Sequence, residues 1–222
     1  MYEQALQAVF ILVLFTAIAP AIGFVAKKAR VERVVGFFAF AAFLTAFLYF
    51  YQALRSSSGS LLYAMGPLTS FTSYFEFSQL SLYFAAIFTG ISAVVALYSL
   101  EYMRHDTGQT TYYTLLLGMI TGMVCLVLSA DLFTFFVYWE IMCITSYCLV
   151  GFRKRFWEPV EAGFKYLVMS TAGSILFLYA FALIYGSTGT LNIHALSSHP
   201  VAFAVPFVFA PIALVIEWFG VK

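Results

Sequence analysis

The chain has 222 residues, 63% of them hydrophobic and 20% aromatic, with 26 Phe and 15 Tyr. A soluble domain carries roughly 45–50% apolar and roughly 25% charged residues, and the 9% charged here cannot clothe a soluble surface. That excludes a soluble enzyme and a disordered chain, and a net charge of +1 offers no basic face to nucleic acid. A helix needs about 20 apolar residues to cross the hydrocarbon core. Seven stretches meet that length in chain order: Ala5–Ala26, Val34–Tyr51, Ser78–Leu100, Tyr112–Ser129, Leu132–Gly151, Gly163–Tyr185 and Val201–Val221. They run continuously apolar, without the alternation of a barrel strand, so the expected fold is an all-α polytopic membrane domain over residues 1–222. The first stretch leads with Glu3 and no positive charge, its apolar run is long, and another span follows, so it is not expected to be a signal peptide.

The connecting segments set the expected orientation. Eight of the eleven Lys/Arg follow the first, third and fifth spans: Lys27, Lys28, Arg30, Arg33, Arg104, Arg153, Lys154 and Arg155. The opposite side has Arg55, while Lys165 and Lys222 fall within or at the edge of spans. The positive-inside rule then puts the N-terminus outside, in a plasma-membrane protein. The longest connection, Gln52–Phe77, is Ser/Gly-rich and then aromatic, and reads as an outer loop with an interfacial segment. The stretch Ser187–Pro200 reads as a polar turn.

Chemistry-bearing residues are few. An ionisable side chain at mid-span costs about 2.5–3.5 kcal/mol on insertion scales and is a functional hypothesis by default. Glu140 sits nine residues into the fifth span, too deep to snorkel, and shares its helix face with Cys143 and Tyr147. It reads either as a proton or ion relay or as a hydrogen-bonded helix contact. Lys165 lies near the start of the sixth span, where a snorkelling lysine is ordinary. Lys222 ends the chain after 21 residues of the last stretch, and reads as an end charge unless Pro206 or Pro211 breaks that helix and brings it into the core. Glu217, five residues earlier, can pair with a cation or line a polar cavity. Asp131 is expected to be solvated between the fourth and fifth spans. His194 and His199 lack a third ligand at metal spacing. Cys125, Cys143 and Cys148 lie in apolar runs and read as small buried thiols. No glycine-rich phosphate loop, CxxC pair or nucleophile elbow is present, so no cofactor, metal or catalytic residue is expected.

The run Thr121–Phe152, TGMVCLVLSADLFTFFVYWEIMCITSYCLVGF, resembles the fourth and fifth helices of the antiporter-like subunits shared by complex I, membrane-bound hydrogenases and Mrp-type cation/proton antiporters. Trp139-Glu140 carries the most specific part of that likeness. LYSLEYM at Leu97–Met103, FKYLVMSTAGS at Phe164–Ser174, ALIYGSTGTLNI at Ala182–Ile193 and the closing FGVK add to it. The resemblance implies the N-terminal half of such a subunit, with its first inverted repeat cut inside the broken seventh helix. The chain is then a half-length subunit, a split gene product or a piece of a longer one. By resemblance, Glu140 and Lys222 match a buried Glu/Lys pair of the proton path, and Lys165 matches a lysine at the start of the sixth helix. The implied partners are other membrane subunits, the lipid bilayer and H⁺ or Na⁺. Two alternatives remain: a structural subunit of the same kind of complex without a complete ion path, and a seven-helix retinal pigment, against which Lys222 stands too near the chain end.

Overall fold

The computed structural model describes residues 2–28, 33–56, 61–65, 73–106 and 108–197. The predicted stretch Val201–Val221, and with it Glu217 and Lys222, lies outside the described residues. Six long helices cover most of the rest: α1 (Tyr2–Lys28), α2 (Arg33–Ser56), α3 (Gln79–Tyr102), α4 (Gln109–Leu128), α5 (Leu132–Val150) and α6 (Trp157–Thr188). All six are long and apolar enough to cross a membrane. A short helix, α7 (Ile193–Ser197), and a two-stranded antiparallel hairpin, β1 (Leu61–Met65) and β2 (Ser73–Phe77), complete the described elements.

Helices α1 to α4 pack around one core, and α5 and then α6 are laid against its α4 side. The core is built largely from small residues. On α2, Ala39, Ala42, Ala46 and Ala53 are buried at three-, four- and seven-residue steps, so one face meets its neighbours. Helix α3 answers with Ala85, Thr89, Ala93 and Ala96. Small side chains let backbones approach closely, which drives helix association where lipid is as apolar as the protein. Leu12, Phe43, Phe50, Leu82, Tyr113 and Leu117 fill the remaining gaps, all buried. Large apolar groups face outward instead, among them Phe10, Phe24, Ile91, Val94 and Phe164. A soluble fold would bury these; acyl chains solvate them.

Several hydroxyls inside the bundle bond within it. Thr89 donates to Ala85 O at 2.8 Å, and Ser92 to Phe88 O at 2.6 Å. Thr16 and Thr121 join α1 to α4 through their Oγ1 atoms at 2.9 Å.

The two ends of the bundle are tied differently. At the end carrying the hairpin, three chain segments zip together. Ala130 N–H donates to Tyr74 O at 2.9 Å, Ile193 N–H to Ala130 O at 3.1 Å, and Leu132 N–H to Leu191 O at 3.0 Å. His194 Nε2 and Glu76 Oε2 lie 3.0 Å apart across the same zipper. The segment read from sequence as a loop with an interfacial stretch is therefore partly a paired hairpin. Its two strands stabilise each other only through pairing, which local sequence does not specify.

Asp131 does more than face water. It caps α5, its Oδ2 accepting from Thr134 N–H at 2.9 Å and Thr134 Oγ1–H at 3.0 Å. An N-cap carboxylate satisfies helix N–H groups that have no other partner. Asp131→Ala is expected to cost about 1 kcal/mol of stability, read as a lowered thermal midpoint of the purified protein in detergent.

At the opposite end Arg153, after α5, reaches Asp106, after α3. Its Nη2 and Nε both donate to Asp106 Oδ2, at 2.8 and 3.0 Å. The Asp106 contact, and then the Tyr102 hydroxyl, hold the Arg153 guanidinium above its usual range.

Helix α6 begins six residues before the predicted span. Phe156 is its N-cap, and Glu158 and Pro159 follow in the first turn. Proline tolerates that position because first-turn N–H groups have no helical partner, and the acid suits the positive helix end. Those polar residues ended the apolar run without ending the helix. At 32 residues it is about 48 Å long, beyond the hydrocarbon thickness of about 30 Å.

Candidate functional site

The site is built on α5 and on the α6 face it meets. Chain direction and close approaches fix how the two helices align. A Cβ on Gly163 of α6 would lie 3.1 Å from both Gly151 Cα and Gly151 N and 3.2 Å from Tyr147 O. Glycine lets the two backbones come this near without displacing either. From that point the helices run antiparallel. Tyr147 meets Tyr166 edge to face at 6.2 Å, Trp139 meets Phe177 at 5.6 Å, and Phe136 meets Phe181 edge to face at 6.5 Å. Ser146 Oγ–H donates to the Tyr166 hydroxyl at 3.1 Å.

Glu140 is four residues after Phe136 and seven before Tyr147, so all three share one helix stripe. Both aromatic neighbours on that stripe touch α6. Glu140 therefore sits on a stripe of α5 that borders α6. Its Oε1 atom is buried and has no hydrogen-bond partner among the described residues. A buried polar atom left unbonded costs roughly 1–3 kcal/mol, more when charged. Cys143, three residues on and on the same face by spacing, is buried. Of the three thiols read as buried, Cys125 and Cys143 are, but Cys148 is exposed, because an apolar helix run can face lipid as readily as the protein core.

Lys165 stands two turns into α6. Its Nζ forms an ion pair with Glu161 Oε1 at 2.6 Å, one turn back on the same helix. The lysine side chain is 71% exposed. Its position two residues past Gly163 puts it level with the Tyr147 end of α5, about two turns from Glu140 along the axis. The ion pair that the structure gives this lysine is thus with Glu161. Sequence reasoning underrated the α6 stripe itself. Gly163, Ser170, Gly173 and Ser174 are all buried on it. The signal was present as small residues spaced seven, three and one apart, inside a segment whose apolarity drew all the attention.

Six helices long and apolar enough to cross a membrane, one of them with a buried carboxyl oxygen near its middle, make this a polytopic membrane protein. Comparison with known proteins agrees. Residues 129–218 match the family described as NADH:quinone oxidoreductase/Mrp antiporter, transmembrane. Residues 65–113 match the N-terminus of chain 5 of NADH-ubiquinone oxidoreductase (complex I). The chain belongs to this family of antiporter-like membrane subunits. Among relatives, it is 31% identical over 169 residues to NADH-quinone oxidoreductase subunit N 2 of Koribacter versatilis, covering 72% of this chain and 33% of that one. Among solved structures, it is similar to a chain of the archaeal membrane-bound sulfane sulfur reductase, with a TM-score of 0.78 and 25% identity over 98% of this chain and 44% of that one. The fold also matches a chain of the Mrp complex from Dietzia sp. DQ12-45-1b, with a TM-score of 0.79 at 23% identity, covering 96% of this chain and 23% of that one. The chain thus spans about a third of the length of the curated relative it matches.

Proposed function

We propose that this chain is an ion-translocating membrane subunit of a multi-subunit redox-driven or antiporter complex, with Glu140 as the group that takes up and releases a proton. The observation that carries the reading is the Glu140 Oε1 atom, buried near the middle of α5 without a hydrogen-bond partner among the described residues. A carboxyl group at that depth is costly to insert, which supports a functional role for it. In general, a cation brought beside a carboxyl group favours the anion, and its withdrawal favours proton uptake. A lysine that approaches and withdraws therefore drives uptake and release. Lys222 is assigned that role by its place in the family pattern, with Glu217 as the carboxylate that competes for it. The relayed ion is H⁺, or Na⁺ in exchange with it. The energy comes from partner subunits, since the chain shows no redox motif of its own. The N-terminus faces outward, so the Arg153–Asp106 end faces the cytoplasm.

Lys165 takes the lesser part, at the cytoplasmic end of the path. Its pairing with Glu161 is exposed and worth about 0.3–0.5 kcal/mol. Lys165→Ala is expected to leave assembly intact and to slow ion flux less than Glu140→Gln does, read in vesicles holding the whole complex. The scaffold reading, in which the chain serves assembly alone, requires instead that neither substitution change flux per electron.

A further inference from the structure

Three buried side-chain oxygens lack a hydrogen-bond partner among the described residues: Glu140 Oε1, Ser174 Oγ and Thr114 Oγ1. Two of them stand on neighbouring helices that pack against each other. Eleven residues back from Gly151 along α5 is Glu140, and eleven residues on from Gly163 along α6 is Ser174. Since Gly151 and Gly163 touch, and both helices rise about 1.5 Å per residue, Glu140 and Ser174 lie at one level. They also lie on the facing stripes. Ser174 is three residues before Phe177 and seven before Phe181, the residues that meet Trp139 and Phe136. Phe136 is on the Glu140 stripe.

Ser174 is 5% exposed. Several other hydroxyls in these spans return to their own helix: Thr171 donates to Leu167 O at 2.8 Å, Thr145 to Ile141 O at 2.7 Å and Thr89 to Ala85 O at 2.8 Å. Ser174 does not. An inward hydroxyl that forgoes this local bond, level with a carboxylate oxygen that also lacks one, has the chemistry of a small polar guest site. Buried water takes such places, bridging polar groups that would otherwise be unsatisfied.

We infer that α5 and α6 hold a water molecule between Glu140 Oε1 and Ser174 Oγ, and that Ser174 is a positioning residue for the Glu140 carboxyl group. The inference rests on the reading of Glu140 as the proton-carrying group. The water donates to the carboxylate oxygen and accepts from the serine hydroxyl, which fixes the carboxyl rotamer at the interface. When the carboxyl group is protonated, the same water accepts a hydrogen bond from its O–H, so one site serves both states.

The test uses the assembled complex in vesicles, with Ser174→Ala, Ser174→Thr and Glu140→Gln. The infrared band of the Glu140 carboxyl or carboxylate group is assigned by its loss in Glu140→Gln. Ser174→Ala is expected to shift that band and to lower flux per electron about fivefold, the factor one net hydrogen bond represents. Ser174→Thr keeps the hydroxyl and is expected to restore both. If the alanine variant does not assemble, Ser174→Cys, with similar volume and a weak donor, carries the same expectation. An unshifted band in the alanine or cysteine variant overturns the water link. Unchanged flux in Glu140→Gln overturns the relay reading instead, and the band position then still decides the water link.

Discussion

Glu140→Gln is expected to lower ion flux per electron by about tenfold or more, as loss of a positioned proton-transfer group does, while the complex assembles normally. The amide fills the same volume, so packing of Phe136 and Tyr147 against α6 is kept. What it loses is the ability to take up and release a proton. A packing role for Glu140 gives the opposite pattern, a changed thermal midpoint with flux per electron intact. Flux and electron transfer must therefore be followed in the same vesicles, because a slower redox reaction alone also slows pumping. An unchanged ratio in Glu140→Gln defeats the relay, whatever the resemblance to other family members.

Gly163→Leu is expected to be the most disruptive single change on α6. Even a Cβ there meets Gly151 Cα and N at 3.1 Å and Tyr147 O at 3.2 Å, all backbone atoms that no rotamer change can move. A leucine must push α5 and α6 apart. Overpacking of this kind costs about 1–3 kcal/mol. It also separates the stripe of Phe136, Glu140 and Tyr147 from its counterpart, so flux is expected to fall together with the thermal midpoint. Gly186 serves as the control. A Cβ at that position meets nothing within 4 Å, so Gly186→Ala leaves both readouts near the parent's. Equal midpoints for the Gly163 and Gly186 variants are the result that sinks the close-approach argument.

The helices and the outlier among their residues were legible in the chain alone. Uninterrupted apolar length is a local property, because every backbone group in lipid must bond within its own segment. That is why α3 and α5 begin and end within two residues of their predicted bounds. Glu140 stood out for the same local reason, as a charge at a depth where charge is expensive. The sequence was a poorer guide wherever polarity and structure part company. Helix α6 starts at Trp157 and not Gly163 because a helix persists through Glu158 and Glu161 once it has left the hydrocarbon. The β1–β2 hairpin was hidden because strand pairing is a relation between distant residues, not a composition. Asp131 looked merely solvated, yet its role as cap depends on where α5 begins.

The partners across helices were beyond the reach of sequence altogether. Whether Lys165 meets Glu140 or Glu161 depends on helix level and rotation, and the structure gives it Glu161. Ser174 is an unremarkable residue in a small-residue run until α6 is set antiparallel to α5 with Gly163 on Gly151. That single contact decides which side chains stand opposite. It is a product of close packing between two backbones, and hydropathy, which scores each residue against solvent and not against a neighbour, carries no record of it.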